Sequence, residues 1–407
     1  MSVRRVAVFS MHTSPLAQPG SGDGGGMNVY VRALASALAR AGVDCDVYTR
    51  AEDRSQPDVV DVEPGFRVLH VEAGPRAPVP KHDLFELVDP FVDASMLRLL
   101  ASDPVDVLHG NYWLSGAVAH KLKHLLDVPM VATFHTLARV KAEAGVDDDP
   151  DHRTQVEQEV IACADLMLAS TDDERAQLAS LYDANGDRVE VVEPGVDHRM
   201  FGPGDRNAAR HRLGITAPRV LLFVGRIQPL KGADLAVRCL AALDDPKTTL
   251  VIVGGPSGRD GDEELERVHD LAETLGVAER IRWVPPQRHD RLADFYRAAD
   301  VCIVPSRSES FGLVALEAAA CGTPVVAAAV GGLRSLVDHD RTGFLVESRE
   351  PVEYATLVQR LLDDSVLAGE MGMHAAAQSL RYSWSMTAAR LRRLYGDLVA
   401  RGLVRCD

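Results

Sequence analysis

The sequence lacks any long hydrophobic run. Its longest strongly apolar stretches are Val301–Pro305 and Pro324–Val330, far below the roughly 20 residues that a membrane-spanning helix needs. The chain opens Met-Ser-Val-Arg-Arg and passes directly into an apolar run typical of a strand, without the longer apolar stretch and cleavage site of a signal peptide. We therefore expect a cytoplasmic protein with no membrane insertion.

Clustered positive charge is also scarce. Across 407 residues, 44 Lys and Arg stand against 59 Asp and Glu, giving a net charge of −15. The densest basic segment is Arg390–Arg393, which is too short for the basic surface that a polyanion requires. The composition therefore argues against nucleic acid as a partner.

Cysteine is sparse and irregular. The six cysteines form no CxxC pair, which in a chain of this length is typical of buried thiols in a reducing compartment. There is no HExxH motif and no paired Cys/His spacing, so the sequence favours neither a zinc site nor another metal-ligand cluster.

Short runs of Val, Ile and Leu alternate with stretches of helical period, and this alternation predicts parallel sheets covered by helices. A helix is predicted over Met27–Ala41 and an amphipathic one over Thr387–Arg401. The predicted strands are Val6–Met11, Asp44–Tyr48, Val68–Val71, Val107–His109, Met130–Thr133, Leu166–Ala169, Val189–Val192, Arg219–Val224, Thr249–Val253, Arg280–Trp283, Asp300–Val304, Pro324–Ala327 and Gly343–Val346.

The segment Glu193–Arg206 is rich in Pro, Gly and charge and has no period, as expected of a linker. We therefore predict two doubly wound α/β domains, residues 1–198 and 199–383, followed by a C-terminal helical segment, 384–407, that packs back toward the first domain. Because ligands of such sheets bind at the carboxyl ends of the strands, two facing domains predict a cleft and transfer between two molecules.

A glycine-rich loop, His12–Asn28, joins the first strand to the first helix. Gly20, Gly22, Gly24, Gly25 and Gly26 would permit left-handed backbone and present N–H groups to an anion. The spacing is neither a dinucleotide-binding GxGxxG nor a Walker loop, and a mobile surface loop is the alternative.

Two cations follow the strand Arg219–Val224. Arg226 and Lys231 would suit a diphosphate, because Arg offers a two-pronged donor and Lys a mobile point charge. The alternative is that both are ordinary solvated surface cations.

The segment Ser308–Glu317 (SESFGLVALE) carries the strongest signal. It would place Glu309 in a loop and Glu317 two turns into a helix, with Gly312 near the helix start. The N–H groups of Phe311–Val314 would face a phosphate, and Glu317 would accept both hydroxyls of a ribose. Glu317 as an exposed helix residue is the alternative.

Three histidines, His12, His109 and His135, flank predicted strand ends, where a hydrogen-bonded structural role is the common one. No GxSxG motif suggests a hydrolase.

Several of these segments together resemble the retaining glycosyltransferases of the GT-B fold, family four. The resemblance covers nearly the whole chain and rests on MHTSPLAQPGSGDGGGMNVY, YWLSG, FHTLARVK, GRIQPLKG, GGPSG, ESFGLVALEA and the loop around Gly331–Gly332. Within that family, these segments are similar to the members that transfer N-acetylglucosamine from its uridine diphosphate donor to 1D-myo-inositol 3-phosphate in mycothiol biosynthesis. The fold implied is two Rossmann-like domains facing across a cleft.

The resemblance implies a donor site. Arg226 and Lys231 would hold the diphosphate, Glu317 the ribose and Glu309 the sugar hydroxyls, while His135 would hydrogen-bond the donor sugar. The catalytic set is then His135, Arg226, Lys231 and Glu309. The donor-binding residues are Gln18, Pro19, Gly26, Arg226, Lys231, Gln287, Glu309, Phe311, Gly312, Leu313, Val314 and Glu317.

It also implies an acceptor site, in which Lys81, Tyr112, Thr136 and Arg153 grip the phosphate. The inositol ring would lie among His12, Asp23, Gly24, Gly25, Gly26, Met27 and Asn28. The sequence departs from the family pattern around Lys81 (Pro78–Phe85), at Asn111 where the family has His, and in the acidic stretch Asp147–Asp151. All three departures fall on the acceptor side.

No cofactor is required by this scheme, although the resemblance leaves open a weak magnesium site near Tyr296, Arg297 and Ala299. The attack would come from the front face, with the donor phosphate taking the acceptor proton. Still open are another small polar acceptor (an aminocyclitol, a thiol metabolite or a sugar phosphate), a guanosine diphosphate donor, a sugar-nucleotide epimerase and a non-catalytic nucleotide-sugar sensor. The oligomeric state is open as well, with a homodimer compatible with the family.

Overall fold

The chain folds into two compact units. A computed structural model describes residues 3–20, 22–145, 152–243, 245–258 and 261–406. Unit 1 comprises residues 1–17, 27–195 and 384–407, and unit 2 comprises residues 18–26 and 196–383. We predicted a division at 198/199; the structure divides the chain at 195/196 and groups the middle of the glycine-rich loop with unit 2. The departure Asp147–Asp151 lies outside the described residues.

Unit 1 alternates strands with helices. Its strands are β1 (Arg5–Phe9), β2 (Asp44–Arg50), β3 (Val59–Glu63), β4 (Phe66–Val71), β5 (Val107–Asn111), β6 (Met130–Thr133), β7 (Leu166–Ala169) and β8 (Val189–Val191). Its helices are α1 (Gly26–Arg40), α2 (Val88–Leu100), α3 (Trp113–Leu126), α4 (Ala138–Glu143), α5 (Arg153–Cys163) and α6 (Asp172–Tyr182).

The strands of unit 1 form one sheet in the order β3-β4-β2-β1-β5-β6-β7-β8, in which every neighbouring pair is parallel except β3 and β4. Strand β3 was not predicted. It is an edge strand of mixed exposure, joined to β4 by a turn at Gly65 with φ +79°, so it carries little of the apolar pattern that reveals the central strands.

Unit 2 also alternates strands with helices. Its strands are β9 (Arg219–Val224), β10 (Thr248–Val253), β11 (Ile281–Val284), β12 (Val301–Val304), β13 (Val325–Ala328) and β14 (Gly343–Val346). Its helices are α7 (Arg206–Leu213), α8 (Ala233–Ala242), α9 (Gly261–Thr274), α10 (His289–Ala298), α11 (Leu313–Ala320), α12 (Leu333–Leu336), α13 (Pro351–Asp363) and α14 (Ser365–Ser379).

The sheet of unit 2 is parallel throughout, in the order β11-β10-β9-β12-β13-β14. Strands β9 and β12 are neighbours although three helices separate them in the chain, so the strand order reverses there. The carboxyl ends of both strands lead into the segments that carry Arg226 and Glu309. This is the position at which doubly wound sheets bind ligands.

The last helix, α15 (Trp384–Val399), belongs to unit 1. The Trp384 ring packs edge-on against Tyr30, with ring centroids 5.6 Å apart. The buried Tyr395 hydroxyl hydrogen-bonds His109 Nδ1 at 2.8 Å. The chain thus enters unit 2 at residue 196 and returns to unit 1 through this helix.

The cysteine expectation needs one correction. Cys45, Cys239, Cys302 and Cys321 are free and buried, as predicted, but the structure joins Cys163 to Cys406 as a disulfide with Cα atoms 5.2 Å apart. Within the described part of the chain, no helix combines the length and apolar composition needed to cross a bilayer.

Candidate active site

Lys231 and Glu309 meet in unit 2. Lys231 ends a 3₁₀ turn (Pro229–Lys231) after β9, and Glu309 lies in the loop after β12. Lys231 Nζ donates to Glu309 Oε2 at 2.6 Å, with 23% and 18% of the two side chains exposed. Lys231 is therefore not an ordinary solvated cation. Its ammonium keeps two further N–H donors for an anion.

Arg226 lies beside the glycine-rich loop. Arg226 Nη1 donates to Ser257 Oγ at 3.3 Å, and Ser257 Oγ donates to the Gly22 carbonyl at 2.6 Å. A Cβ added to Gly25 would stand 3.0 Å from Arg226 Nε. Gly25 lets the backbone pass close to the guanidinium, since a Cβ there would require the Arg226 side chain to shift by a few tenths of an ångström. Ser257 joins the two segments. Ser257 lies in the GGPSG segment, but its contact with the loop was not expected.

Two of the five loop glycines use the left-handed backbone that glycine permits. Of the five, positive φ occurs at Gly20 (+84°) and Gly22 (+52°). Gly26 is already the first residue of α1, and Gly25 serves the close approach to Arg226. The loop therefore has left-handed backbone at Gly20 and Gly22 and a close backbone approach to Arg226 at Gly25.

The start of α11 is fixed by glycines. Gly312 caps the helix with φ +104°, and Cβ atoms at Gly331 and Gly332 would lie 2.1 Å from the Glu309 carbonyl oxygen and 2.4 Å from Phe311 Cα. The Gly332 N–H also donates to the Glu309 carbonyl at 2.9 Å. The first N–H groups of a helix have no partner within it, so the N-terminus of α11 at Leu313 and Val314 can bind an anion.

Glu317 is buried, which excludes the exposed alternative; 5% of the residue is accessible. His289 Nε2 donates to Glu317 Oε1 at 2.6 Å, and the Tyr296 hydroxyl donates to Oε2 at 2.7 Å. Burial and the Glu317 charge raise the pKa of Tyr296 well above its usual range. The two partners orient the carboxylate and leave each oxygen a second lone pair for a hydroxyl donor.

Gln18 and Gln287 are joined directly. Gln18 Nε2 donates to the Gln287 carbonyl. A Cβ on nearby Gly20 would lie 3.4 Å from Pro286. The loop containing Gln18 and Pro19 thus packs on the segment after β11 within unit 2, which brings these three predicted donor-binding residues together.

The four predicted phosphate-gripping residues meet around Tyr112 in unit 1. Lys81 Nζ stands 4.7 Å from the centre of the Tyr112 ring. Arg153 Nη1 donates to the Tyr112 hydroxyl at 3.1 Å, and Arg153 Nη2 donates to Thr136 Oγ1 at 3.2 Å and to its carbonyl at 2.7 Å. Tyr112 itself has φ +77° before α3, a strained conformation of the kind that occurs at ligand sites. We call these four residues the Tyr112 cluster.

Arg153 also has a buried counter-ion that sequence reasoning missed. Arg153 Nε donates to Glu157 Oε1 at 2.7 Å, and neither side chain is exposed. Tyr182 and the Ala138 N–H also donate to the Glu157 carboxylate. The sequence signal that could have revealed this pair is its spacing: Arg153 and Glu157 lie four residues apart, and this spacing places both side chains on one face of α5.

His12 and His135 lie near this cluster. The His12 ring centroid is 4.4 Å from that of Tyr112. His135 Nε2 donates to Asn111 Oδ1 at 2.9 Å, and burial, with a smaller contribution from His109, lowers its pKa to about 3. His109 is a buried structural residue bonded to Tyr395 and Thr133, with its pKa lowered by burial to about 3. Both rings are therefore neutral at physiological pH.

The predicted inositol-ring residues fall in both units. Asp23, Gly24, Gly25 and Gly26 belong to unit 2, whereas Met27 and Asn28 belong to unit 1. Asn28 is buried and donates to Thr13 Oγ1 at 2.7 Å and to the Ser14 carbonyl at 2.6 Å. It therefore orders the chain that follows His12.

Two buried donors beside Tyr112 have no partner among the described residues. They are Asn111 Nδ2 and Trp113 Nε1. Buried polar groups are nearly always satisfied, by water or a ligand where protein offers no partner. Asn111 is one of the departures noted above, and the structure makes it a candidate ligand contact that the motif comparison did not include.

The residues suggested for magnesium are engaged elsewhere. The Tyr296 hydroxyl is bonded to Glu317, Arg297 donates to the carbonyls of Gly202 and Met200, and Ala299 is buried. None of the three supplies the carboxylate oxygen that usually binds Mg²⁺ in proteins. Their side chains do not fit a magnesium site, and no step below depends on one.

Two family models match the chain. Residues 24–199 match "Glycosyltransferase Family 4" and residues 205–378 match "Glycosyl transferases group 1". A protein of Catenulispora acidiphila named D-inositol 3-phosphate glycosyltransferase 2 is 46% identical over 96% of this chain and 94% of its own length. A Geodermatophilus obscurus protein named D-inositol 3-phosphate glycosyltransferase is 47% identical over 96% of this chain and 89% of its own. The chain belongs to the D-inositol 3-phosphate glycosyltransferase family.

The fold of this chain is also similar to that of a solved structure. Sucrose-phosphate synthase from Thermosynechococcus elongatus matches with a TM-score of 0.92 and 34% identity, covering 98% of this chain and 99% of that one. The predicted GT-B fold is confirmed, and the chain is a nucleotide-sugar-dependent glycosyltransferase.

Proposed function

We propose that this member of the family transfers N-acetylglucosamine from UDP-N-acetylglucosamine to 1D-myo-inositol 3-phosphate, with retention at the anomeric carbon, as a step of mycothiol biosynthesis. The names of the relatives support the acceptor. The observation that carries the proposal is the Tyr112 cluster, in which Lys81, Tyr112, Thr136 and Arg153 meet although they lie far apart in the chain.

The charge of this cluster fits a phosphate. Glu157 compensates Arg153, so the buried pair is neutral and mainly directs N–H donors. Among the described residues Lys81 has no ion-pair partner, so it supplies the further positive charge of the cluster, and the Tyr112 and Thr136 hydroxyls add donors. Asn111 Nδ2 and Trp113 Nε1, which are buried without a partner, would donate to the acceptor's oxygen atoms.

Unit 2 would hold the donor. Arg226, Lys231 and the N-terminus of α11, at Phe311 to Val314, would bind the diphosphate, and Glu317 would accept the ribose hydroxyls. Glu309 would accept hydroxyls of the sugar while keeping its bond to Lys231. Gln287, fixed by Gln18, would lie beside the uracil.

The reaction breaks the bond between the anomeric carbon and the diphosphate oxygen, and forms a bond from that carbon to an acceptor hydroxyl oxygen on the same face. The departing phosphate oxygen takes the acceptor proton, so no protein carboxylate acts as nucleophile. Arg226, Lys231 and α11 stabilise the charge that develops on the diphosphate. His135, held neutral by burial, would hydrogen-bond the donor sugar.

A sugar phosphate is the second candidate acceptor. The 34% identity to a sucrose-phosphate synthase structure favours it, as does the altered segment Pro78–Phe85 around Lys81. Both candidates place a phosphate at the Tyr112 cluster and differ in the ring attached to it.

Product analysis with controlled substrates tests the proposal. With UDP-N-acetylglucosamine and inositol 3-phosphate, we expect UDP and an N-acetylglucosaminyl inositol phosphate whose NMR spectrum reports the α anomer. Donor conversion without acceptor would indicate an epimerase, and donor binding without any turnover would indicate a sensor. Faster reaction with GDP-linked sugar would overturn the donor assignment, and a β-linked product would overturn retention.

A further inference from the structure

Four metal-binding side chains meet in unit 1, and none of them is a residue that the proposed reaction uses. They are His120 and His124 of α3, Cys163 at the end of α5, and Cys406 after α15; one ligand atom from each lies within 4.8 Å of all the others. We call them the His/Cys cluster. No such cluster was expected from the sequence, because the cysteines lie 39 and 282 residues from His124.

His120 and His124 are close enough to bind the same ion. Their spacing of four residues places both on one face of α3, and their ring centroids are 5.1 Å apart. His124 Nε2 lies 3.4 Å from both Cys163 Sγ and Cys406 Sγ.

A buried ion pair brings the cysteines together. Lys123 Nζ donates to the Cys163 carbonyl at 2.7 Å and lies 2.9 Å from Asp165 Oδ2. Asp165 Oδ1 accepts the Val404 N–H at 2.6 Å. The segment after α15 is therefore fixed two residues before Cys406, which places its sulfur beside Cys163 and the histidines.

A disulfide accounts for two of these four side chains, whereas a metal ion accounts for all of them. Two imidazoles and two thiolates are a common donor set of tetrahedral structural zinc sites. Two thiolates also balance the charge of Zn²⁺, so the site can be partly buried without a further counter-ion.

We propose that His120, His124, Cys163 and Cys406 bind one zinc ion, with both cysteines as thiolates. Binding releases the two thiol protons and involves no electron transfer. The ion joins the segment after α15 to α3 and α5, and its role is structural because all four ligand positions are filled by protein. The site lies outside the donor and acceptor residues discussed above.

Metal analysis of the full chain tests this site. The protein is reduced with a phosphine, which supplies the two electrons that open the disulfide, and then dialysed against zinc. We expect about one zinc per chain, and with Co²⁺ the visible absorption bands of a tetrahedral thiolate site. In His124→Ala and Cys406→Ser we expect zinc affinity to fall at least about 100-fold, whereas the exposed control His211→Ala keeps it.

Thermal unfolding supplies a second readout. Chelation should lower the Tm of the reduced, zinc-loaded wild-type protein by several degrees. The same treatment should leave the Tm of Cys406→Ser unchanged, because that variant has no zinc to lose. Zinc contents in the reduced wild type no higher than in Cys406→Ser would overturn the proposal. Zinc binding equal in all variants would overturn it as well, because the metal would then lie elsewhere. Because Cys406 follows the last helix, we expect its substitution to leave the folded core intact.

Discussion

At the scale of residues, the Glu317 carboxylate is held by two side chains of another helix. Glu317 was recognisable from ESFGLVALEA, whereas His289 and Tyr296, which fix its carboxylate, were not. They lie 28 and 21 residues away on another helix, and neither spacing nor residue type indicates that contact. The same holds for Asn111, whose importance depends on its burial without a partner.

Lys231→Ala tests the diphosphate contact. The ammonium would stabilise the departing diphosphate, and loss of one such contact typically costs about 100- to 1000-fold in kcat. Steady-state kinetics should show this loss with little change in thermal unfolding, because Lys231 is partly exposed. Lys247→Ala, an exposed lysine of the same unit, is the matched control. Wild-type turnover in Lys231→Ala would contradict the assignment.

Lys81→Gln tests the phosphate contact of the acceptor. The variant removes the Lys81 charge from the Tyr112 cluster but leaves the Arg153–Glu157 pair intact. We expect the acceptor KM to rise at least about 10-fold with a smaller change in kcat and in the donor KM. His82→Gln, at the exposed neighbouring position, should behave like wild type; equal KM values in both variants would exclude Lys81 from the site.

Stability should depend on pH through His109. Burial lowers its folded-state pKa to about 3, below its ordinary value of 6.5. Between these two values the unfolded chain binds a proton that the folded chain does not, so the free energy of unfolding falls as the pH falls from 6.5 toward 3. Urea unfolding should show a weaker pH dependence in His109→Gln than in His211→Gln, an exposed control. Identical slopes would show that His109 does not contribute.

At the scale of elements, buried strands were the most predictable part of the fold. Met130–Thr133, Leu166–Ala169, Arg219–Val224 and Gly343–Val346 have the predicted bounds, because a strand buried on both faces is a continuous apolar run. The edge strand β3 escaped prediction for the opposite reason. The sequence shows the glycines around α11, but it does not show the close contacts that exclude a side chain at these positions. Those contacts come from residues about 20 positions away in the chain.

Gly332→Ala tests the support of α11. A Cβ there would lie 2.4 Å from Phe311 Cα and from its carbonyl oxygen, both backbone atoms that cannot rotate away. We expect displacement of the segment 309–313, a raised KM for the donor and an unfolding free energy lowered by about 1–3 kcal/mol. Gly369→Ala, within α14 and with open space at its Cβ, should be neutral or stabilise by up to about 1 kcal/mol. The same donor KM in both variants would contradict the role given to Gly332.

At the scale of the whole molecule, the sequence predicted two α/β units and a final helix from alternating patterns alone, because a parallel sheet demands a crossover helix after each strand. The middle of the glycine-rich loop was placed with the first domain, whereas residues 18–26 cluster with unit 2. Chain order does not reveal such contacts. The His/Cys cluster was missed for the same reason, since its four members converge from three separate segments.

The central claim is that this glycosyltransferase selects an acceptor made of an inositol ring and a phosphate. A competition assay tests it most directly: UDP-N-acetylglucosamine is supplied with equimolar 1D-myo-inositol 3-phosphate, myo-inositol and a hexose 6-phosphate, and the products are quantified by mass spectrometry. We predict that the inositol 3-phosphate product exceeds each of the others at least about 100-fold. Predominant transfer to the hexose phosphate, or equal transfer to unphosphorylated inositol, would contradict the claim.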